Sequence, residues 1–155
     1  MPQTMRRSDR AIPDSEARTI LEQGEYGVLS TVSVAGQSYG VPVSYACTDE
    51  AIYFHCALEG HKLENLSSNN KVSFCVVGRT QVLPAKFATN YESVIVFGTA
   101  QEVTSAEKHA GLVAILKKYS PDFMAKGERY INGDGHKAKV YKIVIESMTG
   151  KARKK

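Results

Sequence analysis

The feature that most constrains the fold of this chain is a succession of short segments in which apolar and polar residues alternate. Turn-forming stretches such as AGQ and TDE separate the first of these segments. Successive side chains of a β-strand point to opposite faces, so the alternation predicts strands, and their close spacing predicts an antiparallel meander. Six segments have this character: residues 26–34 (YGVLSTVSV), 38–47 (SYGVPVSYAC), 51–57 (AIYFHCA), 71–77 (KVSFCVV), 93–103 (SVIVFGTAQEV) and 139–146 (KVYKIVIE).

Three further segments have the apolar spacing of helices: residues 14–24, about 60–67 and about 104–119. Because these helices do not alternate with the strands, a doubly wound α/β sheet is not expected. The order predicts a mainly β fold, a small barrel with about three helices packed outside it. Residues 79–90 and 120–136 show no clear period, and we expect a long loop and an irregular segment there.

The size and charge of the chain limit its class. With 155 residues it has the length of one domain, and we expect a single domain over residues 1–155 with flexible tails at 1–10 and 150–155. The net charge of +4 comes largely from these ends, and basic ends are usually solvated, so no nucleic-acid partner is predicted. No apolar run approaches the roughly 20 residues of a membrane span, and no signal-peptide pattern is seen. We therefore expect a cytoplasmic protein without a membrane partner.

Neither the cysteines nor any common catalytic motif indicates a disulfide, a metal site or a catalytic centre. Cys47, Cys56 and Cys75 are well separated and form no CxxC pair, which predicts reduced, partly buried thiols and neither a disulfide framework nor a metal site. The sequence contains no phosphate-binding loop, dinucleotide fingerprint or hydrolase motif. Redox chemistry in such a chain would have to come from a cofactor.

The segment that carries most chemical information is FHCALEGHKLENL, residues 54–66. It begins as a strand, breaks at Gly60 and continues as an amphipathic helix. The first amides of a helix are unpaired and carry the positive end of its dipole, so they can bind an anion. His61 and Lys62 stand on that first turn and add a hydrogen-bond donor and a full charge. The pattern predicts an anion site, and the alternative is a solvated helix terminus with an ordinary surface lysine.

Two residues on the strands point to a ligand nearby. Strand alternation places His55 on the face opposite Phe54 and Cys56, where a ligand or a second subunit could lie. The alternative is a surface or structurally satisfied histidine. Pro42 lacks the N–H that a sheet ladder requires, so it marks either a plain edge strand or a place where a flat heterocycle lies along free backbone groups.

Taken together, three motifs resemble one protein family. VPVSY (41–45), IYFHCALEGHKLENLSSNNKVSFCVV (52–77) and ESVIVFGTAQEV (92–103) resemble the pyridoxamine 5′-phosphate oxidase-like split-barrel flavoproteins, and most closely the nitroimidazole-resistance (Nim) branch. The resemblance implies a six-stranded antiparallel split β-barrel and a homodimer with FMN at the subunit interface. Glu92 stands where relatives often carry Arg, and the residues that bind pyridoxal phosphate are not matched, so oxidation of pyridoxamine phosphate is not implied.

The resemblance also implies which residues contact FMN. The segment from Val41 to Ser44 would lie along the isoalloxazine, and the segment from Phe54 to Ala57 beside the ring and the ribityl chain. His61 and Lys62, with Asn65 nearby, would bind the phosphate. The expected cofactor-binding residues are Val41, Pro42, Val43, Ser44, Phe54, His55, Cys56, Ala57, His61, Lys62 and Asn65.

The leading functional hypothesis is an FMN-dependent reductase of small, flat oxidised molecules such as nitroimidazoles. His55 is the expected catalytic residue, because the pKa of histidine allows it to hydrogen-bond or protonate a substrate near neutral pH. Two alternatives stay open. One is a non-catalytic flavin-binding or electron-carrying module, and the other is a haem-handling protein on the same fold, with a histidine and the basic tail holding iron and propionates.

Overall fold

The computed structural model describes residues 3–155, which contain seven strands and four α-helices. The helices are α1 (Asp14–Gln23), α2 (His61–Ser68), α3 (Ser105–Tyr119) and α4 (Met124–Asp134). The strands are β1 (Gly27–Val32), β2 (Ser38–Val43), β3 (Tyr45–Cys47), β4 (Ala51–Cys56), β5 (Lys71–Leu83), β6 (Ala88–Val103) and β7 (Lys139–Arg153). None of the helices within residues 3–155 is long and apolar enough to cross a membrane.

All seven strands form one antiparallel sheet in the order β2-β1-β5-β6-β7-β4-β3. The two edge strands, β2 and β3, follow each other in the chain with only Ser44 between them. The edges of a flat seven-stranded sheet would lie about 28 Å apart at the usual strand spacing. A single residue cannot bridge that distance, so the sheet curls until its edges meet at Ser44, which makes a half-open barrel.

Alternation along the strands divides the apolar residues between two cores. The inner face supplies the main core, in which Leu29, Phe54 and Phe74 have no exposed surface. Tyr45 packs edge-on against Phe74 with ring centroids 4.9 Å apart, and α1 packs against this core through Ala17 and Leu21, also without exposed surface. Residues of the opposite strand face form a second, smaller core beneath α3: Ala51, Tyr53, Val103 and Val140, with Leu112 packed against them.

The predicted mainly β architecture with outer helices is confirmed, but the numbers of strands and helices were too low. The extra strand is β3, which the sequence analysis joined to β2, because the alternation runs through Ser44 without a break. The extra helix is α4, which contains no buried residue and lies in the glycine-containing segment 120–136 that was expected to be irregular. It contacts α3 at Gly127, where an added Cβ would lie 2.2 Å from Leu116 Cδ1.

The expected loop at 79–90 is also wrong. Strands β5 and β6 pair from Thr80↔Tyr91 to Leu83↔Ala88 and form a hairpin closed by the turn Pro84–Lys86. Most of its side chains are exposed, so no apolar alternation distinguishes it from a loop.

The expected tails need a similar correction. The segment 150–155 is not free, because β7 pairs with β6 as far as Arg153↔Tyr91, and Ala11 bridges Lys151. Ser8–Arg10 form a turn of 3₁₀-helix. The first two residues of the expected N-terminal tail lie outside the described residues.

Candidate functional site

The sheet splits at the point where most of the predicted site residues lie. Strand β3 pairs with β4 only as far as Tyr45↔Phe54. If this pairing continued, Ser44 would lie opposite His55 and Val43 opposite Cys56. Instead the chain leaves β4 at Ser44, and Val43 pairs with Gly27 of β1. The backbone of His55 and Cys56 therefore has a strand neighbour only on its β7 side. Residues 41–44 line one side of this split and residues 55–57 the other.

The start of α2 adjoins the split, because it follows β4 after a four-residue connection. The last residue of that connection, Gly60, has φ 150°, and nothing lies within 4 Å of the position a Cβ would occupy. The left-handed backbone favours glycine there, and the absence of a side chain leaves room in front of the first amides of the helix. The His61 ring stacks on Tyr39 of β2, with centroids 4.2 Å apart and planes 28° apart, which ties the helix to the edge strand.

His55 lies between the strand split and the helices outside the barrel. Its side chain is exposed, whereas Phe54 and Cys56 on either side of it are buried, as strand alternation predicts. Partial burial lowers the pKa of His55, and the positive charge of Lys62 lowers it further. Both effects favour the neutral imidazole, which can donate through one ring nitrogen and accept through the other.

The other predicted residues divide into open and buried ones. Pro42, Ser44 and Ala57 are exposed and can be reached from the split. Phe54 has no exposed surface and stacks on Tyr141 with centroids 5.6 Å apart, so only its backbone can contact a ligand. Val41 and Val43 are partly buried and pack against the main core.

The side chains of Asn65 and Cys56 are buried inside the fold. The Asn65 side chain is 3% exposed and donates a hydrogen bond from Nδ2 to Thr31 Oγ1 at 3.0 Å, so it holds α2 against β1 from inside. Burial raises the pKa of the Cys56 thiol, which keeps it protonated and weakly nucleophilic. Contact of either side chain with a ligand stays a prediction.

A cavity of about 650 Å³ lies on the outer side of β4, between α3 and α4. Of the predicted site residues only His55 lines it. Its walls are mainly apolar side chains of the two helices, and Lys126 and Lys137 also face it. Sequence analysis missed this cavity because one of its walls belongs to α4, which was not predicted. Tyr39 was missed as well, since no sequence spacing relates it to His61.

The chemistry of the split favours an anionic, partly flat ligand. Gly60, the unpaired amides of α2 and the Lys62 ammonium offer a positive site of the kind that binds phosphate. The free edge of β2, interrupted at Pro42, offers backbone groups to a planar molecule. Within residues 3–155 no three His, Cys, Asp or Glu side chains are grouped so that they could hold a metal ion.

Comparisons with known proteins agree with this description. Residues 13–152 match the model of the family described as pyridoxamine 5′-phosphate oxidase. A search of curated proteins gives no match. Among solved structures, a candidate 5-nitroimidazole antibiotic resistance protein from Bacteroides thetaiotaomicron superposes with a TM-score of 0.75 at 23% identity, over 92% of this chain and 86% of that one.

Two other solved structures share the fold. A FAD-binding protein from Mesorhizobium loti has a TM-score of 0.66 at 23% identity, and the match covers 94% of this chain and 97% of that one. A FAD and haem binding protein from Mycobacterium smegmatis has a TM-score of 0.81 at 14% identity, over 92% of this chain and 72% of that one. At such identities the likeness concerns the fold.

Proposed function

Because this chain belongs to the pyridoxamine 5′-phosphate oxidase family, whose model it matches over residues 13–152, we propose that it binds FMN and reduces small, flat oxidised molecules such as nitroimidazoles. The fold is that of a family whose structural neighbours bind flavins. The choice of FMN and of the substrate class is our proposal.

One observation carries the proposal: the strand split and the open start of α2 adjoin each other. The amides after Gly60 and the charge of Lys62 suit a terminal phosphate, and His61 is held beside them by its stack on Tyr39. The backbone of residues 41–44 and 55–57 lacks a strand neighbour on one side, and that side suits the edge of a planar ring. A flavin mononucleotide combines a ring and a single terminal phosphate in this way.

The residues of the chain have separate tasks in this proposal. When bound, FMN supplies the electron transfer from a donor to the oxidised substrate. Lys62 and the first amides of α2 bind and orient the phosphate, and the backbone around Pro42 orients the ring. His55 hydrogen-bonds the substrate and gives it a proton. The runner-up is an electron-carrying module, in which His55 is only a wall of the site.

A second subunit is part of the proposal, because the middle of one sheet face, between Lys71 and Lys151, is open and carries no charge. Directly paired residues on five strands form two rows on this outer face. The rows consist of Pro42, Val28, Cys75, Ile95 and Thr149, and of Gly40, Ser30, Ser73, Phe97 and Ser147. Ile95 and Phe97 are 41% and 46% exposed. A solvent-facing sheet normally presents polar and charged side chains, so this uncharged patch suits an interface between two copies.

We expect the protein to sediment at about twice its mass of 17.0 kDa at micromolar concentration. Phe97→Lys should shift it to the monomer, because the interface would have to desolvate a charge. It should also release flavin, since the split of one protomer is open and the partner is expected to complete it. Val34→Lys changes an apolar side chain that is 89% exposed on the turn after β1 and is the matched control. A monomeric wild type with flavin fully bound would contradict the shared site.

The cofactor itself is tested by the absorption spectrum of the purified protein and by mass analysis of the released ligand. We expect flavin bands and the mass of FMN. A Soret band would favour the haem-handling alternative, in line with the FAD and haem binding protein from Mycobacterium smegmatis that shares the fold. Flavin bands without turnover of any nitroaromatic compound would favour the electron carrier.

A further inference from the structure

The cavity outside β4 has the size and lining of a site for a small organic molecule. Its volume of about 650 Å³ lies within the range of about 300–1,000 Å³ found for such sites. Helices α3 and α4 and the turn between them supply its apolar lining: Leu112, Ile115, Leu116, Phe123, Tyr130 and Ile131. A ligand that fills this space must therefore have an apolar body.

The two sides of the cavity differ in rigidity. On the α3 side, the Tyr119 hydroxyl donates to the Glu25 carbonyl oxygen at 2.6 Å and accepts from the Tyr45 amide at 3.0 Å, so this ring is fixed. On the α4 side, Phe123 and Tyr130 are 62% and 70% exposed. Aromatic rings that have little protein contact and line a cavity suit an aromatic ligand, which can pack against their faces.

The net charge of the cavity lining determines which ligand charge the cavity favours. Lys137 forms an ion pair with Asp134 at 3.0 Å, so these two charges compensate each other. Lys126 also lines the cavity and makes no salt bridge with any of residues 3–155. The lowered pKa of His55 keeps that ring neutral near pH 7. The lining therefore has a net charge of about +1, which Lys126 supplies.

We propose that this cavity binds a small aromatic carboxylate, with the ring between α3 and α4 and the carboxylate facing Lys126. Because His55 lines the cavity and also adjoins the strand split, the molecule bound there is the oxidised substrate. This last step rests on the proposed function, whereas the binding of an aromatic carboxylate does not.

The test uses two probes of nearly equal shape, 4-nitrobenzoate and its neutral analogue 4-nitrobenzamide. Calorimetric titration of the protein as purified, with no electron donor added, measures binding without any turnover. We expect 4-nitrobenzoate to bind roughly threefold to fivefold more tightly than the amide, as for one partly exposed ion pair. Lys126→Glu should abolish or reverse that preference. Lys117→Glu makes the same charge change at an exposed lysine of α3 outside the cavity lining and should keep it.

A second pair of variants tests the aromatic wall. Tyr130→Ala should weaken both probes by about tenfold, because it removes a ring contact whose loss typically costs that much. Phe87→Ala removes a ring that is 97% exposed at the tip of the β5–β6 hairpin and should have no effect. Thermal unfolding of each variant identifies a loss of fold.

The outcomes are distinct for the two proposals. Absence of 4-nitrobenzoate binding to the folded wild type, or equal preference in the wild type and Lys126→Glu, would overturn the cavity assignment. Binding with the expected preference in a protein that takes up no flavin would overturn the proposed function and leave the cavity as a binding site for aromatic carboxylates. If the site is also the substrate site, Lys126→Glu should lower kcat/KM for 4-nitrobenzoate and leave that for 4-nitrobenzamide nearly unchanged.

Discussion

Replacing Lys62 by alanine is expected to weaken FMN binding by about 1.5–3 kcal/mol, or roughly 10- to 150-fold in Kd. The reason is that Lys62 is the full positive charge on the first turn of α2, beside the amides that follow Gly60. A hydrogen bond to a charged group has this magnitude when it is partly protected from water. Fluorescence titration of the flavin-free protein with FMN measures the change directly.

The control for this substitution is Lys117→Ala, which removes one positive charge from an exposed position of α3 and should leave the affinity unchanged. Riboflavin gives a second control, since it lacks the phosphate. Its affinity should be similar for the wild type and Lys62→Ala. If FMN binds equally well to both proteins, the phosphate does not lie at the start of α2, and the family resemblance has been carried to the wrong residues.

The region around α2 could be predicted because its signals are local in sequence. Alternation along residues 51–57 predicts which side chains of β4 are buried, and the structure agrees for Ile52, Phe54 and His55. The break at Gly60 predicts the start of a helix immediately after it, and α2 does begin at His61. Local backbone chemistry and side-chain period determine these features, so no tertiary contact was needed to predict them.

The split of the sheet could not be predicted in full, because it depends on pairing between distant strands. Residues 38–47 alternate as one run, yet Val43 pairs with Gly27 of β1 and Tyr45 with Phe54 of β4. The only local sign is Pro42, which indicates either an edge strand or a neighbouring planar ligand, and β2 is indeed an edge strand. The other edge strand, β3, begins directly after Ser44. This break depends on the closure of the barrel and has no local signal in the sequence.

The segments around the cavity were missed for a different reason. Helix α4 follows Pro121 and contains Gly127 and Gly133, and glycines inside a segment favour a loop over a helix when only the sequence is considered. For Asn65, the ligand contact that the family resemblance implies stays a prediction, and the structure shows that its amide donates to Thr31 inside the fold. A polar residue in a motif does not show by itself whether it faces a ligand or the core.

Replacing His55 by alanine is expected to slow reduction of a nitroimidazole by about 10²-fold or more while FMN stays bound. His55 lines the cavity beside the strand split, and loss of a general acid has an effect of this size. Lys62→Ala should do the reverse: flavin occupancy falls, but turnover per bound flavin stays nearly the same. The measurement is single-turnover oxidation of the pre-reduced protein by a nitroimidazole, normalised to bound flavin.

The pH dependence of this rate identifies the proton donor. Burial and the charge of Lys62 lower the pKa of His55 below its ordinary value of 6.5. A general acid acts in its protonated form, so the wild-type rate should rise as the pH falls from 8 and level off only below pH 6.5. His55→Ala should remove this rise. If the histidine merely filled space, its removal could lower the rate but would leave the dependence of the rate on pH unchanged.

His109→Ala provides the matched control, because His109 is exposed on α3 and lies outside the cavity lining. It should retain both the rate and the pH profile of the wild type. If His55→Ala also matches the wild type in single-turnover rate and in pH profile, the imidazole donates no proton to the substrate. His55 would then serve only as a wall of the site, and the electron-carrying module would become the better account of a protein that binds flavin.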